Sequence, residues 1–312
     1  LSLACALVAL ATGVAPAAAR ESEKARTVDA RTGLIVQALG TLAAAERKGD
    51  PAEITRVAER VGWSRLLAAA TGRDKADALV ALAALPLLPG SVRGLGPVTP
   101  LLGVLDPALS GAAAHALAGM LAGVSPASTD EWDVAPDVVA SACAGLHTLA
   151  LRPEAAEEPR LAAVSGLGGA SAVCGAWLDL GALLADPNPA LRRAAALVTH
   201  PVDRLAASGG AGVHDADRGV AAAATAALCR AGAAPRAGVR ANAKDATWTQ
   251  AREAARRLLK EPDVAPEDAV DMTSCLDPGT NDDRALLATL AKSKAPAVKE
   301  RAKEMLEKPG QP

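Results

Sequence analysis

Apolar residues recur along this chain with helical spacing, in short runs separated by turn-forming residues. In the stretch Asp186-Pro-Asn-Pro-Ala-Leu-Arg-Arg-Ala-Ala-Ala-Leu197 and the valine after it, the residues Leu191, Ala194, Ala195 and Val198 fall on one face of a helix. Similar stretches begin at 156, 215 and 245, so these four starts are separated by 30, 29 and 30 residues. Weaker copies begin at Asp74, Asp106 and Ser293. Each start reads as a helix N-terminus. Aspartate at the N-cap accepts hydrogen bonds from orphan backbone N–H groups. Proline in the first turn, as at Pro107, Pro187 and Pro296, loses no intrahelical bond. A second apolar run precedes several starts, at 100–105, 172–184 and 284–290. Two helices of about ten to fifteen residues with their turns fill such a unit, and a hairpin of this size buries its apolar face only by stacking on neighbours. The pattern predicts an all-α chain of about seven stacked helical hairpins and no β-sheet.

The pattern Asp-Pro-x-Pro-x-Leu-Arg-x-Ala-Ala at 186–195 resembles the HEAT repeat family, most nearly its short form of about 30 residues. The resemblance runs from Asp74 to Glu307 and implies an α-solenoid, a HEAT/armadillo-like superhelix of antiparallel hairpins. It also implies that the repeat's Asp and Arg stabilise turn and stacking, with first helices convex and second helices concave. The positions matching Arg192 are Ala162 and Ala221, so the family's ladder between repeats is expected to be interrupted there. The intervals from 106 to 156 and from 245 to 293 are too long for one repeat and hold irregular segments, 125–136 and 261–283. Within the second, 266–275 reads as helical.

Ahead of the repeats, 20–73 is expected to form a helical capping region, with Asp50-Pro-Ala-Glu53 at capping-box spacing. The opening stretch LSLACALVALATGVAPAAA carries no charge and ends in Ala17-Ala18-Ala19 before Arg20. An apolar run closed by an A-x-A site reads as a secretory signal peptide at 1–19, with Pro16 and the small-residue end favouring cleavage over anchoring. Export to the periplasm or the exterior is therefore expected, with no membrane span after cleavage. Residues 309–312 are expected to be a disordered tail.

Composition sharpens the helical reading. Half the residues are hydrophobic, yet there is no Phe or Tyr and only four Trp. Ala and Leu favour helices, and a core so poor in aromatics permits close helix spacing. With 33 basic against 35 acidic residues and no basic stripe, nucleic-acid binding is not expected.

Candidate chemistry is sparse. The four histidines show no metal-ligand spacing, and no nucleophile elbow, P-loop or dinucleotide fingerprint is present. The Gly166-Leu-Gly-Gly-Ala-Ser171 stretch falls at a repeat boundary, where Gly closes helices. No catalytic residue, cofactor or metal is expected. Cys143 lies 13 residues before one repeat start and Cys174 lies 12 before the next, so they occupy near-equivalent places on consecutive first helices. The expected disulfides are Cys143–Cys174 and Cys229–Cys275, the alternative being four small buried residues in an Ala-rich core. The leading functional expectation is a non-catalytic scaffold for a protein or peptide partner. Arg192, Arg193 and Arg252 on the side expected to be concave, and Trp132 in the acidic 130–133 stretch, are its candidate contacts. The competing expectations are an enzyme of the HEAT-like chromophore-lyase type and a structural component of an envelope assembly.

Overall fold

A computed structural model of the chain describes residues 51–125, 134–198, 211–233 and 246–307. The expected signal peptide, most of the capping region, Trp132 and the expected C-terminal tail lie outside these residues.

The described residues are helical, with no strand among them. In chain order the helices are α1 Pro51–Val61, α2 Trp63–Ala70, α3 Lys75–Ala84, α4 Leu95–Val98, α5 Pro107–Ala122, α6 Pro136–Leu151, α7 Glu157–Gly169 and α8 Ser171–Cys174. There follow α9 Leu180–Leu184, α10 Pro189–Leu197, α11 Arg218–Ala233, α12 Ala246–Leu258, α13 Pro266–Thr273, α14 Asn281–Leu290 and α15 Pro296–Glu307. Packing is local. α3 lies on α2 and α5, α5 on α7, α7 on α6 and α10, α10 on α11, α11 on α12 and α13, and α15 on α13 and α14.

Two of the expected first helices are broken into short pieces. Between α3 and α5 the chain runs through 3₁₀ turns at Leu85–Leu87, Ser91–Gly94 and Thr99–Gly103, with α4 between the last two. Pro86, Pro89, Pro97 and Pro100 lie in this stretch, and each removes a backbone donor that a longer helix would need. The run at 172–184 likewise divides into the end of α8, a 3₁₀ turn at Gly175–Trp177, and α9, which Asp179 caps by accepting the Ala182 N–H at 3.0 Å.

Four of the expected aspartates stand at helix starts, with one refinement, whereas α7 begins after Ala156 with no side-chain cap. Asp74 and Asp106 are N-caps and accept backbone N–H groups of α3 and α5. Asp186 and Asp215, expected as caps, instead stand two residues before the group that caps. Asp186 accepts the Asn188 N–H at 2.8 Å, and Asn188 caps α10 by accepting the Ala190 N–H at 2.9 Å. Asp215 accepts the Asp217 N–H at 2.8 Å, and Asp217 accepts the Val220 N–H of α11 at 3.0 Å. The proline of the first turn is accordingly Pro189, not Pro187. The relay leaves the second oxygen of Asp186 and of Asp215 open to another partner.

Two apolar clusters form the interior. One gathers residues from Val57 to Ala195 and the other from Ala196 to Ala302, with Leu184 packed against both. α5 is buried on nearly every side, through Ala113, Ala114, Leu117, Met120 and Leu121. α11 is buried without interruption from Val220 to Cys229. Helices apolar all round belong at the centre of a layer, and Ala lets their neighbours approach closely. Gly168 of α7 shows how closely: a Cβ placed there would lie 2.2 Å from Val198 Cβ. Among the described residues no helix is long and apolar enough to cross a membrane.

Candidate functional site

The polar chemistry of the molecule is concentrated between helices, in ties from a basic side chain on one unit to an aspartate on the next. Lys75 at the start of α3 donates to Asp106 at 2.6 Å. Arg160 of α7 donates to Asp186 through Nη2 and to the Ala150 carbonyl through Nε at 3.0 Å. Arg192 of α10 grips Asp215 with two bonds, Nε to Oδ2 at 2.8 Å and Nη2 to Oδ1 at 3.1 Å. Arg256 of α12 grips Asp283 in the same bidentate way, at 2.6 and 3.0 Å. Bidentate guanidinium–carboxylate pairs add geometric definition to charge, and here each joins a helix to the start of a later one.

A second set converges on the segment joining α12 to α14. This strap is acidic, and four helices reach it. Arg193 of α10 donates to Asp268 on α13 at 2.8 Å and to the Gly219 carbonyl at 2.7 Å. Arg230 of α11 holds Asp271, with Nε to Oδ2 at 2.9 Å. Arg252 of α12 donates to the Cys275 carbonyl at 3.0 Å, and its Nη2 lies 3.9 Å from Asp277 Oδ2. Arg301 of α15 donates to Ser274 Oγ at 3.4 Å. The helix expected at 266–275 is present as α13, with a turn on either side, and the segment is held by arginines from α10, α11, α12 and α15.

Burial and charge set the protonation of these carboxyls. The Asp215 carboxyl is held below the ordinary carboxylate range chiefly by its hydrogen bond from Arg192, against the opposing pull of burial. For Asp283 burial is the largest influence and raises the pKa, but the Arg256 hydrogen bond, the Asp277 N–H and the charges of Arg256 and Arg252 together bring it below the usual value. Asp268, with a side chain only 2% exposed, goes the other way: burial outweighs its hydrogen bond from Arg193 and raises its pKa.

Arg192, Arg193 and Arg252, expected on a partner-facing surface, are therefore placed between helices, with side chains 17%, 30% and 30% exposed and acceptors within the chain. Ala81, Ala113, Ala163, Ala222 and Ala251 of the second helices are buried as well. The physical reason is that these second helices bury the turn after their N-cap against the neighbouring unit. Ala162 offers no basic group, and the tie from α7 to Asp186 comes from Arg160, two residues earlier on the same helix.

The cysteines come together in two pairs. Cys143 of α6 is joined to Cys174 at the end of α8 with Cα atoms 5.3 Å apart, and Cys229 of α11 to Cys275 beyond α13 with Cα atoms 5.0 Å apart. Each bond lies within one apolar cluster. Trp177 is half-buried beside the first, its ring 6.2 Å from that of His147 and tilted to it by 56°. His115 and His214 are exposed, and His200 lies outside the described residues. Among the described residues no group of three or more His, Cys, Asp and Glu side chains is arranged to hold a metal ion.

Sequence reasoning missed Arg160, Arg230, Arg256, Asp268 and Asp283. The signal for Asp283 was available as an acidic residue in the first turn of α14. No spacing rule joins Arg193 to Asp268, which are 75 residues apart. No protein-family model matches the chain, and no curated protein matches it.

Proposed function

We propose that the chain is an exported, non-catalytic binding scaffold of HEAT-like units stacked as an α-solenoid. The observation that carries the reading is the succession of ties from a basic residue to the aspartate of the following unit: Lys75 to Asp106, Arg160 to Asp186, and Arg192 to Asp215. Ties from one unit to the unit that follows are what a stack of repeats requires. The local packing of helices supports the same arrangement. Two disulfides support export, because such bonds persist in oxidising compartments. In this reading Arg192, Arg193 and Arg252 serve partner binding indirectly, by fixing the stack whose outer surface meets the partner. Affinity purification of the tagged chain from the periplasmic and envelope fractions of its native host, after mild in-cell crosslinking, tests the scaffold reading. A protein recovered in fixed stoichiometry is the expected result. Recovery of the chain alone from every fraction contradicts it.

A further inference from the structure

The apolar interior divides within a single helix. Leu191 and Ala195 of α10 belong to the first cluster, which reaches back to Val57. Ala196, the next residue, belongs to the second, which runs on to Ala302. Among the described residues Leu184 is the one side chain packed against both. Each cluster carries its own disulfide, Cys143–Cys174 in the first and Cys229–Cys275 in the second. The contact between the two bodies is built differently from either interior. α10 gives the second cluster one alanine, and α11 meets it with a buried run, Val220 to Cys229, that is mostly alanine. Two arginines cross the contact. Arg192 reaches Asp215 ahead of α11, at 2.8 and 3.1 Å. Arg193 reaches the Gly219 carbonyl of α11 at 2.7 Å and, past it, Asp268 of α13 at 2.8 Å.

We infer that α10 and α11 meet at a latched joint, about which the two bodies swing while each stays folded, and that Arg192 and Arg193 are the latch. The inference goes beyond the scaffold reading and does not depend on what the chain binds. Parting helices inside the first body would expose fully buried Leu117, Met120, Leu146 and Leu167, and the disulfides hold helices together within each body. Parting α10 from α11 exposes chiefly small alanine side chains, and water can take over the hydrogen bonds that break. Motion of this kind is expected where few large apolar contacts resist it. The guanidinium fork suits the latch because it sets direction as well as contact. One arginine holds the turn before α11 and the other spans α11 to α13, so together they fix both the approach and the tilt of the second body.

The test uses the full oxidised chain and pulsed electron spin resonance, with spin labels carried on encoded keto amino acids so that the disulfides stay intact. One pair of labels spans the joint, at exposed Ser141 of α6 and Ala288 of α14, and one lies within the first body, at exposed Ser64 of α2 and Ser141. Arg193→Met is combined with Asp268→Asn, so that no buried carboxylate is left without its cation. In this variant the pair across the joint should broaden and gain longer distances, while the pair within the first body keeps the distribution of the parent protein. Arg230→Met, which cuts a tie from α11 to α13 inside the second body, should leave both pairs unchanged. Far-UV circular dichroism checks the helix content. If the double variant loses helix, Arg192→Met cuts the other tie across the joint and is read with the same labels. A pair across the joint that is identical in parent and variant overturns the latch. Broadening of both pairs alike, or the same broadening in Arg230→Met, overturns the joint, because the loosening would then be general.

Discussion

Replacing Arg192 by methionine isolates the energetic role of one inter-unit tie. Methionine keeps much of the aliphatic stem but removes two bonds to Asp215 and two to the carbonyls of Asp186 and Pro187, at 2.8 and 3.1 Å. The carboxylate left behind is only 11% exposed and keeps a single N–H partner, that of Asp217. An exposed ion pair contributes about 0–1 kcal/mol. Removing one partner of a fully buried pair costs about 3–5 kcal/mol. The burial of this pair places the cost between those limits, at about 2–3 kcal/mol. Asp215→Asn and the double variant complete a cycle, and a coupling of about 1–2 kcal/mol is expected because the groups touch. Urea unfolding without reductant, followed by circular dichroism and tryptophan fluorescence, measures all four proteins. Coincident transitions by the two probes establish whether a single free energy describes the chain. Lys303→Met is the control, since its pair with Glu300 is an exposed i,i+3 contact and should cost no more than about 0.5 kcal/mol. A cost for Arg192→Met as small as the control's, with no coupling to Asp215, would refute the argument that these ties hold the units together.

Acid should act on the ties in two opposing phases. Asp268 has a raised folded pKa, so its contribution to stability is present at low pH and is lost as pH rises through that value. Asp215 and Asp283 have lowered folded pKa values, so theirs is present above the unfolded value of about 3.9 and is lost as pH falls through the folded one. Asp268→Asn should remove the first phase and leave the second, as read by chemical denaturation from pH 7 to pH 3; an unchanged profile contradicts the assignment. Replacing Cys143 and Cys174 together by alanine should cost about 3–4 kcal/mol for a separation of 31 residues, and peptide mapping of the non-reduced protein should recover both linked pairs. Gly168→Ala should destabilise by about 1–3 kcal/mol through the clash with Val198, whereas Gly169→Ala, with nothing within 4 Å of its Cβ, should be neutral or mildly stabilising. Thermal melts of the two glycine variants decide between them.

The helices were legible because their signals are local. The Asp-Pro starts, the apolar spacing of Leu191 and Ala195 and the Ala-rich composition each act within one turn or one face. What escaped was whatever depends on a residue far along the chain. Arg192 and Arg193 differ by one position, and both read as surface residues of a second helix. Only the packed structure shows that one turns to Asp215 and the other to Asp268. The cap relay at Asp186 and Asn188 escaped for a subtler reason: both residues are good caps, and only the packed structure shows Asp186 shared between Arg160 and the Asn188 N–H, with Asn188 capping α10. Within the stretch 261–283 the helix at 266–275 was legible, but its flanks read as irregular because proline and acidic residues interrupt the periodicity, and the arginines that hold it sit on other helices.

The central claim, that units stack so that each depends mainly on its neighbours, is tested most directly by removing the last two helices. A chain ending at Thr280 lacks α14 and α15 and loses the Arg256–Asp283 tie and the Arg301–Ser274 bond, but keeps both disulfides and the ties of Lys75, Arg160, Arg192, Arg193, Arg230 and Arg252. Its far-UV circular dichroism should fall only by the share of helix those two elements contribute. Unfolding reported by Trp177 should remain cooperative and nearly unshifted, as expected of a quasi-one-dimensional array. Loss of the whole helical signal on this truncation would contradict the claim and indicate one indivisible core.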